Sequence, residues 1–250
     1  MPVPEFQIVP GNSAGFRNAY RQEMACQIVH DSYHRRGFMD TYLAQINEKS
    51  IAYASLCDDQ TKARDTIGEF NVEPAHRAWA DEIFLALAKR AQARHIVAQT
   101  NDRGLLIPLL AYGKNVQPTN CVFSDQITTN LQPEKANFRP LTPTEKQAVF
   151  HHKAEPVGEH GIEFEGRIVA TGGYLTHYNP PFCDIYMEVD EPFRRRGFGS
   201  CLVQGLKRLA HENGLEPCAR CDFTNAASKA TLSKAGLLPC ALILHADLDL

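Results

Sequence analysis

The order of elements in this chain is written twice, and that repetition limits what it can fold into more than any single motif does. After a polar stretch with three prolines, "TTNLQPEKANFRPLTPTEKQ" (Thr128 to Gln147), the pattern gives a hairpin, "GIEFEG" with "RIVATGGYLTHY". A buried strand "CDIYMEV" and a helix "FGSCLVQGLKRLAHENG" follow, then a strand "EPCARCDF", a short helix "NAASKATLSKAG" and a last strand "LLPCALILHADL". Before the stretch come "TYLAQINE", "SIAYASLC" and "TIGEFNV", the helix "AWADEIFLALAKRAQA", the strand "RHIVAQ", the helix "DRGLLIPLLAYG" and the strand "NCVFSDQI". Two α/β domains with mixed sheets are expected in tandem, over residues 1–130 and 131–250, with the polar stretch as linker. Placing "LAKRA" (Leu87 to Ala91) on "LKRLA" (Leu206 to Ala210) sets Arg77 on Arg196, Trp79 on Phe198, and Ala78 and Ala80 on Gly197 and Gly199. "QTN" (Gln99 to Asn101) then falls on "FTN" (Phe223 to Asn225).

Charge and cysteine usage exclude several classes. A net charge of −3 argues against non-specific nucleic-acid binding, so any anion site must be local. No apolar run approaches the ~20 residues that span a bilayer, and the expectation is a cytoplasmic protein with no membrane partner. The eight cysteines are scattered, several in apolar runs, which suits reduced buried thiols. "CARC" (Cys218 to Cys221) has metal spacing, but no second pair of comparable spacing accompanies it, so no metal is expected.

The local positive charge sits in "VDEPFRRRGFGSCLVQGLKRLA" (Val189 to Ala210), where three arginines and two glycines join a strand to an amphipathic helix. A helix N-terminus offers unpaired backbone N–H groups and partial positive charge, so it binds phosphate where side chains leave the backbone open. A dinucleotide loop or a G-K-[ST] P-loop fits the string less well.

"VDEPFRRRGFGSCL" (Val189 to Leu202) resembles the acetyl-CoA-binding signature of the GNAT superfamily of N-acetyltransferases. The resemblance covers most of the chain from Asn137 to Leu250 and includes "NAASKATLSKAGL". It implies two GNAT-like domains, the first degenerate and the second binding acetyl-CoA as co-substrate. In such a domain the pantetheine arm pairs with the strand before the signature, here the backbone of Met187 to Val189. The pyrophosphate lies over the amides of Arg195, Arg196, Gly197, Phe198, Gly199 and Ser200, with Arg194 opening the signature. Asn225 and Ser228 match the second motif, whose polar side chains face the cofactor. The implied reaction is direct attack of a primary amine, small-molecule or peptide, on the thioester in a ternary complex.

That amine must lose a proton. Strand alternation puts Asp184, Tyr186 and Glu188 on one face of "CDIYMEV", with Glu188 the preferred base and Asp184 the second. Where many relatives carry a tyrosine as general acid, this chain has Leu232. The alternative is a catalytically inactive CoA-binding regulatory or interaction module. In the first half, Ala78, Ala80 and Asp81 at the matching turn disfavour phosphate, so that domain is expected to bind no cofactor and to wall one side of the acceptor cleft. "HDSYHRRGF" (His30 to Phe38) reads as a solvated helix end or, alternatively, as a substrate contact, and the same two readings apply to His151, His152, His177 and Tyr178 around the expected cleft. The chain is expected to be a monomer or homodimer.

Overall fold

The computed structural model describes residues 3–24, 26–57 and 63–250. They form two compact units, Met1–Thr119 with Ala241–Leu250, and Asn120–Cys240. The boundary expected after residue 130 therefore moves, and the last ten residues change sides. Strand pairing is the reason, since the two longest strands each run from one unit into the other.

In chain order, the first half holds β1 (Gln7–Pro10), α1 (Ala14–Met24), α2 (Asp31–Arg35), β2 (Met39–Ile46), β3 (Lys49–Cys57) and β4 (Thr66–Val72). It continues with α3 (Ala80–Ala91), β5 (His95–Gln99), α4 (Arg103–Tyr112) and β6 (Gly113–Asp125). The second half holds β7 (Ala136–Pro140), α5 (Pro143–Ala148), β8 (His160–Phe164), β9 (Arg167–Leu175) and β10 (Phe182–Val189). Then come α6 (Phe198–Glu212), β11 (Glu216–Asp222), α7 (Ala226–Lys234) and β12 (Leu237–Leu248).

In the first unit β1 to β4 pair antiparallel in order, and β4 pairs parallel with β5. The free edge of β5 is covered by the end of β12, from Ile243↔Gln99 to Asp247↔His95. One face of this sheet packs Ala52, Ala54, Leu56 and Phe70 with Phe84 and Leu87 of α3 in an apolar core. The other face carries a buried polar knot. Arg17 of α1 grips Glu69 of β4 through two 3.0 Å bonds, and Tyr53 and His34 bind the same carboxylate at 3.2 and 2.9 Å. Burial pushes the Glu69 carboxyl up, but the His34 and Arg17 bonds outweigh it and bring it to about 2. The segment from His30 to Phe38 is accordingly no free helix end, because Asp31 and His34 of α2 are tied into this knot.

In the second unit the sheet runs β6, β11, β10, β9, β8, β7, starting with the end of β6, where Cys218↔Ser124 to Asp222↔Asn120 are paired. Only β10 and β11 are parallel neighbours there. The stretch expected as linker contains β7 and α5 instead. Thr142 and Glu145 form a reciprocal capping box at the start of α5, and Arg139 of β7 reaches both Glu145 and Glu163. α6 lays Leu202, Val203, Leu206 and Ala210 on the sheet, a helical spacing that buries one stripe. Its Lys207, buried among them, spends its ammonium on Asp125 at 2.5 Å and on the carbonyls of Ile127 and Ala235, each at 2.8 Å. Cys218 and Cys221, three apart on β11, face opposite sides of the sheet, Cys218 donating to the Cys183 carbonyl.

Candidate functional site

The second unit opens where two parallel strands part. β10 and β11 pair only at Phe182↔Glu216, Cys183↔Pro217 and Asp184↔Cys218, after which β11 follows β6. From Ile185 to Val189 the edge of β10 on that side has no strand partner among the described residues, while its other edge stays paired with β9 as far as Val189↔Ala170. Such an edge is a ready template for an extended, amide-bearing ligand. Met187 and Val189, expected to offer their backbone here, lie on it. Val189 is partly engaged already, because the Arg194 Nε donates to its carbonyl at 3.1 Å.

The turn after β10 is built by two left-handed residues, Arg195 at φ 60 and Gly197 at φ 86. Gly197 tolerates this without strain and serves as N-cap of α6, whose first intrahelical bond is Cys201 N to Gly197 O at 3.0 Å. The amides of Phe198, Gly199 and Ser200 precede that bond and have no carbonyl to reach inside the helix. Gly199 serves packing more than access. A Cβ there would meet Thr231 Cγ2 at 3.1 Å and Val189 Cγ2 at 3.2 Å. Ser200 is buried with its hydroxyl on the Thr231 carbonyl at 3.0 Å, leaving only its backbone for a ligand. The three arginines divide. Arg194 folds back on β10, Arg196 stacks over Phe164 at 4.5 Å and Phe198 at 5.1 Å, and Arg195 is exposed with no ion pair among the described residues. Asn225 caps α7 by accepting from the Ser228 amide at 3.0 Å, so the two motif residues bond to each other across the first turn. Leu232 of α7 is buried and supplies no proton.

The opposite face of β10 carries the carboxylates. Glu188 accepts three backbone N–H bonds, from Lys153 at 2.9 Å and from Ala154 and Glu155 at 3.1 Å each. Burial alone raises its carboxyl, but the three amides and nearby His152 pull it below the usual glutamate range. Oxygens so occupied make a poor proton acceptor and a good clamp, which is the physical objection to Glu188 as base. His152 continues the clamp, its Nε2 lying 3.1 Å from the Thr171 hydroxyl. Asp184 accepts the Tyr178 hydroxyl at 2.7 Å and lies 3.4 Å from His177 Nε2. Sequence reasoning missed Glu155. Its carboxylate makes no hydrogen bond or ion pair among the described residues; the residue is exposed, and partial desolvation together with the Asp184 and Glu188 charges pushes it up against the pull of Arg220 and His152. No periodicity marks a loop carboxylate, and only its separation of two residues from the clamped Lys153 would have pointed to it.

The first unit repeats this plan with a shorter turn. β4 and β5 pair only at Thr66↔His95 and Ile67↔Ile96 before parting. The Arg77 Nε donates to the Val72 carbonyl at 3.1 Å, as Arg194 does to Val189. By that bond Arg77 stands for Arg194 and not for Arg196. Val72 to Ala80 is then eight steps where Val189 to Gly199 is ten, a loss of two residues. No residue of that turn has positive φ, and a 3-10 helix from Pro74 to Trp79 runs straight into α3. At the later helices Asp102 caps α4 as Asn225 caps α7, which shifts the alignment of "QTN" on "FTN" by one residue.

Residues 125–237 match the model of the Acetyltransferase (GNAT) family. No curated protein sequence matches the chain. Among solved structures, a GNAT-family acetyltransferase from Colwellia psychrerythraea is 14% identical, with a TM-score of 0.73, covering 98% of this chain and 100% of its own. A GCN5-related N-acetyltransferase from Sphaerobacter thermophilus reaches 0.60 at 14% identity over 98% and 97% of the two chains. A tandem GNAT protein from the clavulanic acid biosynthesis pathway reaches 0.55 at 14% identity over 97% and 98%. The parted β10, the left-handed turn and the family match fall on the same residues, and it is residues 125–237 that form a domain of the GNAT acetyltransferase family, an acyltransferase domain.

Proposed function

We propose that the second unit moves an acetyl group from acetyl-CoA to a primary amine, with both substrates bound together. The observation that carries the donor assignment is the left-handed turn at Gly197, after which the amides of Phe198, Gly199 and Ser200 open α6 without intrahelical partners, next in the chain to the strand β10 whose edge has parted from β11. That pairing of an anion cradle with a strand edge suits a diphosphate joined to an extended amide chain. Arg195, exposed beside the cradle, adds charge for phosphate.

The amine arrives as an ammonium. Asp184 and Glu188 on the opposite face of β10, with Glu155 in the loop that clamps Glu188, gather negative charge, which favours a cationic acceptor. We assign proton removal to Glu155, whose oxygens are uncommitted and whose raised pKa suits a base better than Glu188 does. Asp184 then acts as a charge held in place by Tyr178. The amine nitrogen attacks the thioester carbonyl carbon, the C–S bond breaks, and the sulfur leaves as thiolate. With Leu232 in place of a donor, α7 gives no proton, and a thiol of pKa about 8.5 leaves without one.

Calorimetric titration of acetyl-CoA tests the donor site, using wild type and Gly197→Asp. The variant adds a side chain at φ 86 and a negative charge beside the cradle. Saturable binding to wild type and loss of it in a folded variant is the expected result. Equal binding by both would remove the second unit's turn from the proposal. Release of free thiol on adding a panel of primary amines then reads out the acceptor.

A further inference from the structure

In the first unit, the parting of β4 from β5 after Ile67 leaves a cavity of about 490 Å3. Met24, Phe70, Gly104, Ile107 and Pro108 give it an apolar wall. Ile107 lines it while being 61% exposed, a large apolar side chain left in water at the cavity mouth. Asn71 of β4 also lines it, 4% exposed, and its enclosed Nδ2 has no hydrogen-bond partner among the described residues. Asn71 occupies the place of Glu188, one residue before the valine whose carbonyl the arginine binds, but no loop amides clamp it. A buried side-chain amide beside a cavity, with its donor unspent, is complementary to a ligand that brings an amide of its own.

The charges at this cavity select against a diphosphate. Arg77 is paired with Glu23, and Asp81 sits in the first turn of α3, where negative charge opposes anion binding. The turn is two residues shorter than its counterpart and holds no left-handed residue that would aim amides at a phosphate. The lining contains two arginines and two carboxylates, so its formal charges cancel.

We propose that this cleft is a second binding site, separate from the acetyl-CoA site, for an uncharged and mainly apolar molecule carrying an amide. Apolar contact with Met24, Phe70 and Ile107 holds the body, and the Asn71 side chain, enclosed in the cleft, turns to exchange hydrogen bonds with the amide. The inference stands independently of the acetyl-transfer reading, because none of its residues belongs to the second unit.

The chain's one tryptophan makes the test direct, since Trp79 lies between Arg77 and Ala80, both of which line the cavity. Octanamide is titrated into the full chain, followed by Trp79 emission and by calorimetry. One saturable site per chain is expected, with octylamine, which has the alkyl chain and no amide, binding about tenfold weaker or worse, the worth of one net hydrogen bond. Asn71→Leu and the surface variant Ile107→Asp should each weaken octanamide by about tenfold while acetyl-CoA binding is unchanged. Gly197→Asp should leave octanamide binding intact. The proposal is overturned if octanamide gives no saturable response, if octylamine binds as tightly, or if both first-unit variants bind octanamide like wild type. Loss of octanamide binding in Gly197→Asp would place it on the second unit and also overturn it.

Discussion

In the proposed reaction, Glu188 and Glu155 divide between them what a single carboxylate was expected to do. Glu188 was legible, from strand alternation, as sharing a face of β10 with Asp184. Its task was not, because the three amides it holds lie 33 to 35 residues upstream in a loop that no pattern predicts. Glu188→Gln keeps the shape but weakens the clamp, so KM for the amine should rise about tenfold while kcat changes little and the pH profile keeps its form. Glu155→Gln should lower kcat by about 100-fold, within the range for loss of a positioned base. The sign of the pH dependence follows from the raised pKa. Glu155 works as its carboxylate, so kcat/KM in wild type falls as pH drops through a value above the ordinary glutamate of about 4.3, and Glu155→Gln should lose that limb. If the limb vanishes in Glu188→Gln and survives in Glu155→Gln, the two assignments are reversed.

At the scale of elements, local rules made the second unit readable and tertiary contacts hid the rest. β10, α6 and the Asn225 cap follow from alternation, a glycine turn and a capping preference that each act within a few residues. α1 escaped because its buried face is polar, Arg17 and Tyr20 being spent on Glu69 and Asp102. The two-residue deletion before α3 escaped because helix periodicity fixes the helices and says nothing of the turn's length. α4 carries a device that can be checked through its cap. Asp102 accepts from the Leu105 amide at 3.1 Å and from the Tyr20 hydroxyl, and burial, outweighing both bonds, pushes its carboxyl up to about 6. A carboxyl with a folded pKa above the unfolded value of about 3.9 adds stability that is complete below pH 4 and lost as pH rises through about 6. The rise from about 3.9 to about 6 corresponds to about 3 kcal/mol. Asn caps as well as Asp, so Asp102→Asn should keep α4 and flatten the stability profile between about pH 4 and 6. Denaturant midpoints across that range read it directly, and an unchanged slope would refute the assignment.

For the whole molecule, the finding that matters is that neither half of the chain finishes its own sheet. The first unit needs Ile243–Asp247 against β5, and Ala246 and Leu248 belong to its apolar core. The second needs Asn120–Ser124 against β11. Sequence could not announce this, because the pairing joins residues from 94 (Cys218↔Ser124) to 152 (Asp247↔His95) apart, and "LLPCALILHADL" reads equally well as the last strand of either unit. A piece ending at residue 130 would leave the β5 edge bare, and one starting at 131 would leave β11 bare, each an open template for aggregation. Expressed alone, residues 1–130 and 131–250 should therefore be insoluble or poorly protected from exchange at β5 and β11 respectively. Co-expressed, they should recover both sets of protected amides, because between them they hold every strand the two sheets use. Removing only Ala241–Leu250 should strip exchange protection from His95–Gln99 while Cys218–Asp222 remain protected. If residues 1–130 fold alone with β5 fully protected, the exchanged strand contributes little, and the two halves are independent domains after all.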